Sequence, residues 1–201
     1  VMLCDINHTP ENFNDDVKEL FTDADGYALS AKLRYGTYLV RETTVPKNYK
    51  AIKDFTITID HDSDVPQETR YFVDEIIKSY LRIIKVDETT KLPILSTDEN
   101  VKFKIYSYDD DKYLSFKSYI NGKFENVSEF TINNDGYVMT PGVLVAGSYR
   151  LEEYSLLTDH YMKNPSGQYD FVIDKDTIFE TYVDEEGNEA DAPLFTVRVE
   201  N

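Results

Sequence analysis

F-T-D-A-D-G-Y-A-L-S-A-K-L-R-Y-G-T-Y-L-V-R-E occupies residues 21–42, and F-T-I-N-N-D-G-Y-V-M-T-P-G-V-L-V-A-G-S-Y-R-L-E-E occupies residues 130–153. Each stretch holds F-T, then D-G-Y, then L-x-x-G-x-Y-x-(V/L)-x-E, in that order. The step from Leu33 to Gly36 equals the step from Leu144 to Gly147, and Tyr38 to Glu42 equals Tyr149 to Glu153. Any two hairpins can share D-G and alternation, but this many matches in order mark an internal repeat. The copies lie about 110 residues apart, the length of a small domain.

Working outward, the apolar residues alternate, and Val, Ile, Thr, Tyr and Phe are abundant, so the segments read as strands. Strands are predicted at 38–42, 55–59, 80–86, 101–106, 148–153, 169–173 and 194–199. Turn signals separate them: Asp25-Gly26, Asn121-Gly122, Asp135-Gly136, Pro165-Ser166-Gly167 and Gly187-Asn188. Long helical periodicity is missing; a short helix is expected at most around Pro10 to Val17. The fold class is all-β, of tandem sandwich type. A first domain is expected over residues 1–78 and a second over 79–201. The first is the shorter, with only Val1 to Ile6 ahead of its copy where an opening strand belongs. It is therefore expected to lack that strand, and the chain to be a fragment.

Composition narrows the function. The 201 residues are 41% apolar, with 16 Tyr and 11 Phe, enough for a sizeable core. The net charge of -17 disfavours nucleic acid and anionic membranes as partners. No apolar run reaches the roughly 18 residues of a membrane span, and Val1 to Asp5 does not read as a signal peptide. The single cysteine, Cys4, forms no internal disulfide and reads as a small apolar residue. His8, His61 and His160 have no zinc spacing, so neither a metal nor another cofactor is expected. Asp60, Asp62 and Asp64 have the start of a calcium loop, but Val65 and Tyr71 stand where glycine and glutamate belong; a solvated loop is expected. Asp109 to Asp111 and Asp184 to Glu186 are read as turn or edge charges.

Strand parity then assembles a chemical group. Leu81, Ile83 and Lys85 share one face, as do Tyr149, Leu151 and Glu153, and as do Phe195, Val197, Val199 and Asn201. An amine, a carboxyl and a carboxamide thus lie in line with apolar side chains. Burial pushes lysine toward neutral amine and glutamate toward neutral acid. A neutral amine is a nucleophile, and a protonated carboxyl can polarise a carboxamide. The expected reaction joins Lys85 to Asn201 with Glu153 assisting and ammonia leaving. The alternative for the same residues is a buried salt bridge that never reacts, with Asn201 in solvent. Glu152 has the opposite parity, with Arg150, and is expected to be solvated.

R-I-I-K-V-D-E-T-T-K-L-P-I (82–94), V-K-F-K-I-Y (101–106), F-T-I-N-N-D-G-Y-V-M-T-P (130–141), L-V-A-G-S-Y-R-L-E-E (144–153) and F-T-V-R-V-E-N (195–201) together carry a resemblance. In this order they resemble the collagen-adhesin B-type repeat, the prealbumin-like (SpaA-type) domain of Gram-positive pilins and surface adhesins. The resemblance implies an Ig-like sandwich in which Lys85 and Asn201 are joined and Glu153 catalyses. In the first unit Glu42 matches Glu153, and Asp74 stands at the closing position, where a bond to lysine would release water. No opening-strand lysine accompanies them; Lys18 and Lys32 lie too close to the motif strand.

The resemblance implies a stalk or spacer of a secreted, wall-attached protein, and no enzyme beyond a single autocatalytic turnover. Its partners would be neighbouring domains of the same surface protein. The alternative is a ligand-binding sandwich whose exposed tyrosine-rich strands recognise a glycan or host protein. A hydrolase with paired carboxylates is a third class, but with 38 Asp and Glu any such pair is unspecific.

Overall fold

The computed structural model describes residues 2–5, 18–31, 33–60, 71–95, 101–153, 167–184 and 186–200, with the backbone alone for Met2–Asp5 and Lys18. The segment around Pro10 to Val17 lies outside these, as do His8, His61, His160, Asp62, Asp64 and Asn201. Among the described residues there is no helix, and the fold class is all-β. The chain divides into two compact units, Val1–Glu75 and Ile76–Asn201.

In the first unit β1 (Met2–Asp5), β2 (Lys18–Glu19), β3 (Gly36–Arg41) and β5 (Phe55–Ile59) form an antiparallel sheet in the order β2-β1-β3-β5; β4 (Tyr49–Lys50) lies outside it. Period-two alternation turns Tyr38 and Val40 inward. β6 (Glu75–Ile76) follows.

The second unit is a sandwich of two sheets. Its strands are β7 (Lys78–Val86), β8 (Lys102–Ser107), β9 (Lys112–Tyr113), β10 (Phe116–Ile120), β11 (Lys123–Val127), β12 (Phe130–Thr131), β13 (Tyr137–Met139), β14 (Leu144–Val145), β15 (Gly147–Glu153), β16 (Gln168–Ile173) and β17 (Leu194–Glu200). One sheet runs β12-β8-β15-β16, with β9 on β8. The other is built on β7, which pairs antiparallel with β13 and β14 and parallel with β17. Ile83 is paired with Val138 and with Val197, so β7 is the central strand. Leu81, Ile83, Leu144 and Val199 from this sheet meet Phe103, Ile105, Tyr149, Leu151 and Ile173 from the other in one apolar core. β10 and β11 make a separate hairpin, whose tip Asn121-Gly122 has both φ angles positive (52° and 83°). Two residues of positive φ suit the right-handed twist of a tight hairpin.

The repeat is visible in the hydrogen bonds. Asp23 Oδ1 accepts from the amides of Asp25 and Tyr27, and Asn133 Oδ1 accepts from those of Asp135 and Tyr137. The Tyr38 hydroxyl donates to the Arg34 carbonyl at 2.9 Å, and the Tyr149 hydroxyl to the Val145 carbonyl at 2.7 Å. Each copy therefore builds the same side-chain-capped turn and the same tyrosine anchor four residues back.

Candidate functional site

β7 alternates so that Ser79, Leu81, Ile83 and Lys85 point into the core, and β15 does the same with Tyr149, Leu151 and Glu153. Lys85 is 1% exposed and Glu153 2%. They come from opposite sheets and meet across the sandwich, where Lys85 Nζ donates to Glu153 Oε1 at 2.7 Å. Val199 of β17 is in register with Lys85, fully buried beside it. Asn201, two residues further on, lies outside the described residues.

Burial pulls the Lys85 amine below the usual lysine range, and the hydrogen bond and charge of Glu153 oppose part of that fall. An ammonium has three donors, and Glu153 takes one. Glu153 Oε2 is buried and has no hydrogen-bond partner among the described residues. A buried polar atom left in this way is costly and needs a chemical reason. Chemically, the arrangement is an amine biased toward its neutral form, held against a carboxyl able to take and return its proton.

The first-unit residues are not arranged alike. Glu42 is half-buried and its Oε2 accepts from the Ile52 amide at 3.0 Å; among the described residues no lysine or arginine pairs with it. Asp74 is half-buried, directly after the exposed Tyr71, Phe72 and Val73.

The outer face of β15 departs from expectation. Glu152 is not simply solvated: its Oε1 holds Arg150 Nη2 at 2.7 Å, and its Oε2 accepts from the Tyr113 hydroxyl at 2.8 Å. The Arg150 guanidinium lies over the Tyr106 and Tyr108 rings at 4.8 and 5.6 Å. Alternation alone marks these residues as outward but cannot show that tyrosines from neighbouring strands close over the arginine. Nor does it reveal the task of Asp109, whose Oδ2 accepts from the Ser148 amide at 2.8 Å. A Cβ on Gly147 would lie 2.6 Å from Asp109 Oδ2, so a side chain there would make that carboxylate shift.

Comparison with known proteins gives the family. No curated protein sequence matches the chain. Among solved structures it is similar to the Bacillus anthracis TIE protein, at 19% identity and TM-score 0.51, over 100% of this chain and 30% of that one. The chain thus spans less than a third of that protein. It is similar to GBS52, the minor pilin of Streptococcus agalactiae, at 17% identity and TM-score 0.41, over 100% of this chain and 80% of that one. It is also similar to the shaft pilin SpaA of Lactobacillus rhamnosus GG, at 15% identity and TM-score 0.32, over 99% and 85%. A profile described as SpaA, prealbumin-like fold domain, matches residues 4–70 and 79–187. With most of its length matched in two segments, the chain belongs to the SpaA family of prealbumin-like fold domains.

Proposed function

We propose that the chain supplies two stalk domains, residues 1–78 and 79–201, of a bacterial cell-surface pilin or adhesin, the second stapled by an isopeptide bond between Lys85 and Asn201. The observation that supports this most is the fully buried contact of Lys85 Nζ with Glu153 Oε1, on two strands facing each other across the core. A carboxamide suits this place chemically, because it offers an acceptor to the amine and a donor to the carboxylate.

The reaction runs in balanced steps. The Lys85 ammonium passes a proton to Glu153, leaving a neutral amine, the form that burial of Lys85 favours. The amine lone pair attacks Asn201 Cγ while the Glu153 carboxyl polarises the amide oxygen. The proton lost from the new C–N bond travels by Glu153 to the departing nitrogen. The old C–N bond breaks, the nitrogen leaves as ammonium with the proton first taken from Lys85, and Glu153 is returned as carboxylate. This happens once per chain, so the protein is a self-modifying structural module rather than an enzyme. In the first unit the corresponding residues are Glu42 and Asp74, and a bond there needs a lysine from an opening strand.

Intact mass of the purified chain tests this reading. The expected result is a deficit of one ammonia, with Lys85 and Asn201 in one branched peptide after digestion; an unmodified mass overturns it. An additional loss of water would place a second bond at Asp74.

A further inference from the structure

Among the described strands, β10 and β11 pair only with each other, outside both sheets of the second unit. Phe116 and Val127, at the base of this hairpin, pack against the core. Register sets Lys117 opposite Asn126 and Tyr119 opposite Phe124, and by parity these four share the other face. Tyr119 is 67% exposed and Phe124 74%, their rings edge to face at 5.1 Å. Folding alone does not reward two exposed rings on a two-stranded ribbon. Residues 112–124 hold three lysines and no acid, in a chain of net charge -17. Lys102 and Lys104 are held by Glu129, and Lys112 by Asp110, whereas Lys117 and Lys123 have no acid partner among the described residues.

The same unit has a surface cleft of about 260 Å³, lined among others by Phe179, Glu180, Tyr182, Glu189, Asp191 and Pro193. That is below the roughly 300–1,000 Å³ of small-molecule pockets, and it suits inserted side chains. Glu180 holds Arg82 at 2.7 Å and Asp191 holds Lys78 at 3.5 Å, which leaves Glu189 without a cation among the described residues. Residues 176–191 carry seven acids and no base. The hairpin lies against Gly142, in the link between β13 and β14, where a Cβ would stand 2.7 Å from Phe116 Cδ1. The cleft opens beside Pro193, which leads into β17. β13 and β14 flank β7 on one edge and β17 on the other, so hairpin and cleft lie on opposite edges of that sheet.

We propose that the hairpin of one copy of this chain docks, without a covalent bond, in the cleft of a second copy. Tyr119 and Phe124 enter beside Phe179 and Tyr182, and Lys117 and Lys123 come to the acids around Glu189. The signs select this occupant: the basic aromatic ribbon and the acidic aromatic cleft attract each other, and each repels its like. The two patches differ, so the contact is heterologous. Each added copy leaves one hairpin and one cleft open, and association continues past the dimer. None of this depends on a bond at Lys85.

Sedimentation of the whole chain tests this, up to about 1 mM, the weak end of specific association. The weight-average mass is expected to climb past that of a dimer, and less so in high salt. A hairpin variant, Tyr119→Ser with Phe124→Ser, and a cleft variant, Glu189→Lys, change exposed side chains and are expected to keep the melting temperature. Each alone is expected to associate at least about tenfold more weakly. Mixed together, they are expected to form a dimer and stop there, because the intact cleft of the first takes the intact hairpin of the second. A monomeric wild-type chain overturns the proposal, as does a mass that levels off at the dimer. So does a hairpin variant that associates as the wild type does, or a mixture that stays monomeric.

Discussion

At the scale of single residues, Lys85 and Glu153 decide most. Two charges this deep gain little net stability from each other, but breaking such a pair is severe, because the survivor stays buried and unpaired. Added to Asn201→Ala, in which the pair stays unreacted, Glu153→Ala should therefore lose about 3–5 kcal/mol in denaturant unfolding, and Glu153→Ala alone should have the mass of the unreacted chain. Burial holds the Lys85 amine below its ordinary value of 10.5, and this sets a pH dependence. In Asn201→Ala, which has no carboxamide to attack, the unfolded chain keeps a proton on Lys85 between the lowered value and 10.5 that the folded chain has released. Stability then rises with pH across that window, since the unfolded state binds more protons. Melting temperatures of Asn201→Ala and of Lys85→Met plus Asn201→Ala across that range should separate this contribution. The Tyr149 hydroxyl, pushed up to about 12 by burial and by Asp109 and Asp110, remains a donor throughout the physiological range. Tyr149→Phe frees the Val145 carbonyl and should lower stability by about 1 kcal/mol in the same assay.

Among the elements, turns with positive φ divide into open and crowded ones. Gly122 (φ 83°) and Gly187 (φ 86°) have open space where a Cβ would stand. Gly136 (φ 81°) does not: a Cβ there would lie 2.8 Å from the Ile94 carbonyl oxygen. Gly187→Ala should lower stability by about 1 kcal/mol, the conformational penalty alone. Gly136→Ala should lower it distinctly further, because a backbone atom must move as well. Urea midpoints of the two variants check the order. The turn at Gly136 matters because its carbonyl accepts from the Lys85 amide, at the end of β7 that presents the amine.

For the whole molecule, a single cysteine leaves no internal disulfide, and 38 acids face only 21 bases. The two compact units predict two thermal transitions in calorimetry. Lys85→Ala should lower the transition of the second unit and leave the first in place. By analogy with a disulfide closing a loop of roughly 100 residues, losing the cross-link removes about 4–5 kcal/mol. A chain in which both transitions move together would show that the units unfold as one.

The all-β class, the strands around Lys85 and Glu153, and the repeat were all legible in the sequence. Alternation has a period of two, and one buried face forces every second side chain inward. Leu81, Ile83 and Lys85 could therefore be placed on one face before any fold was known. Parity is local, however. It marks Glu152 and Arg150 as outward without showing the tyrosines that close over them, and it cannot say which strand lies opposite another. That β7 is central, that Lys85 faces Glu153 across two sheets, and that Glu42 meets a backbone amide were decided only by the tertiary structure. These are contacts between segments far apart in the chain, set by how the two sheets pack rather than by the pattern along either strand.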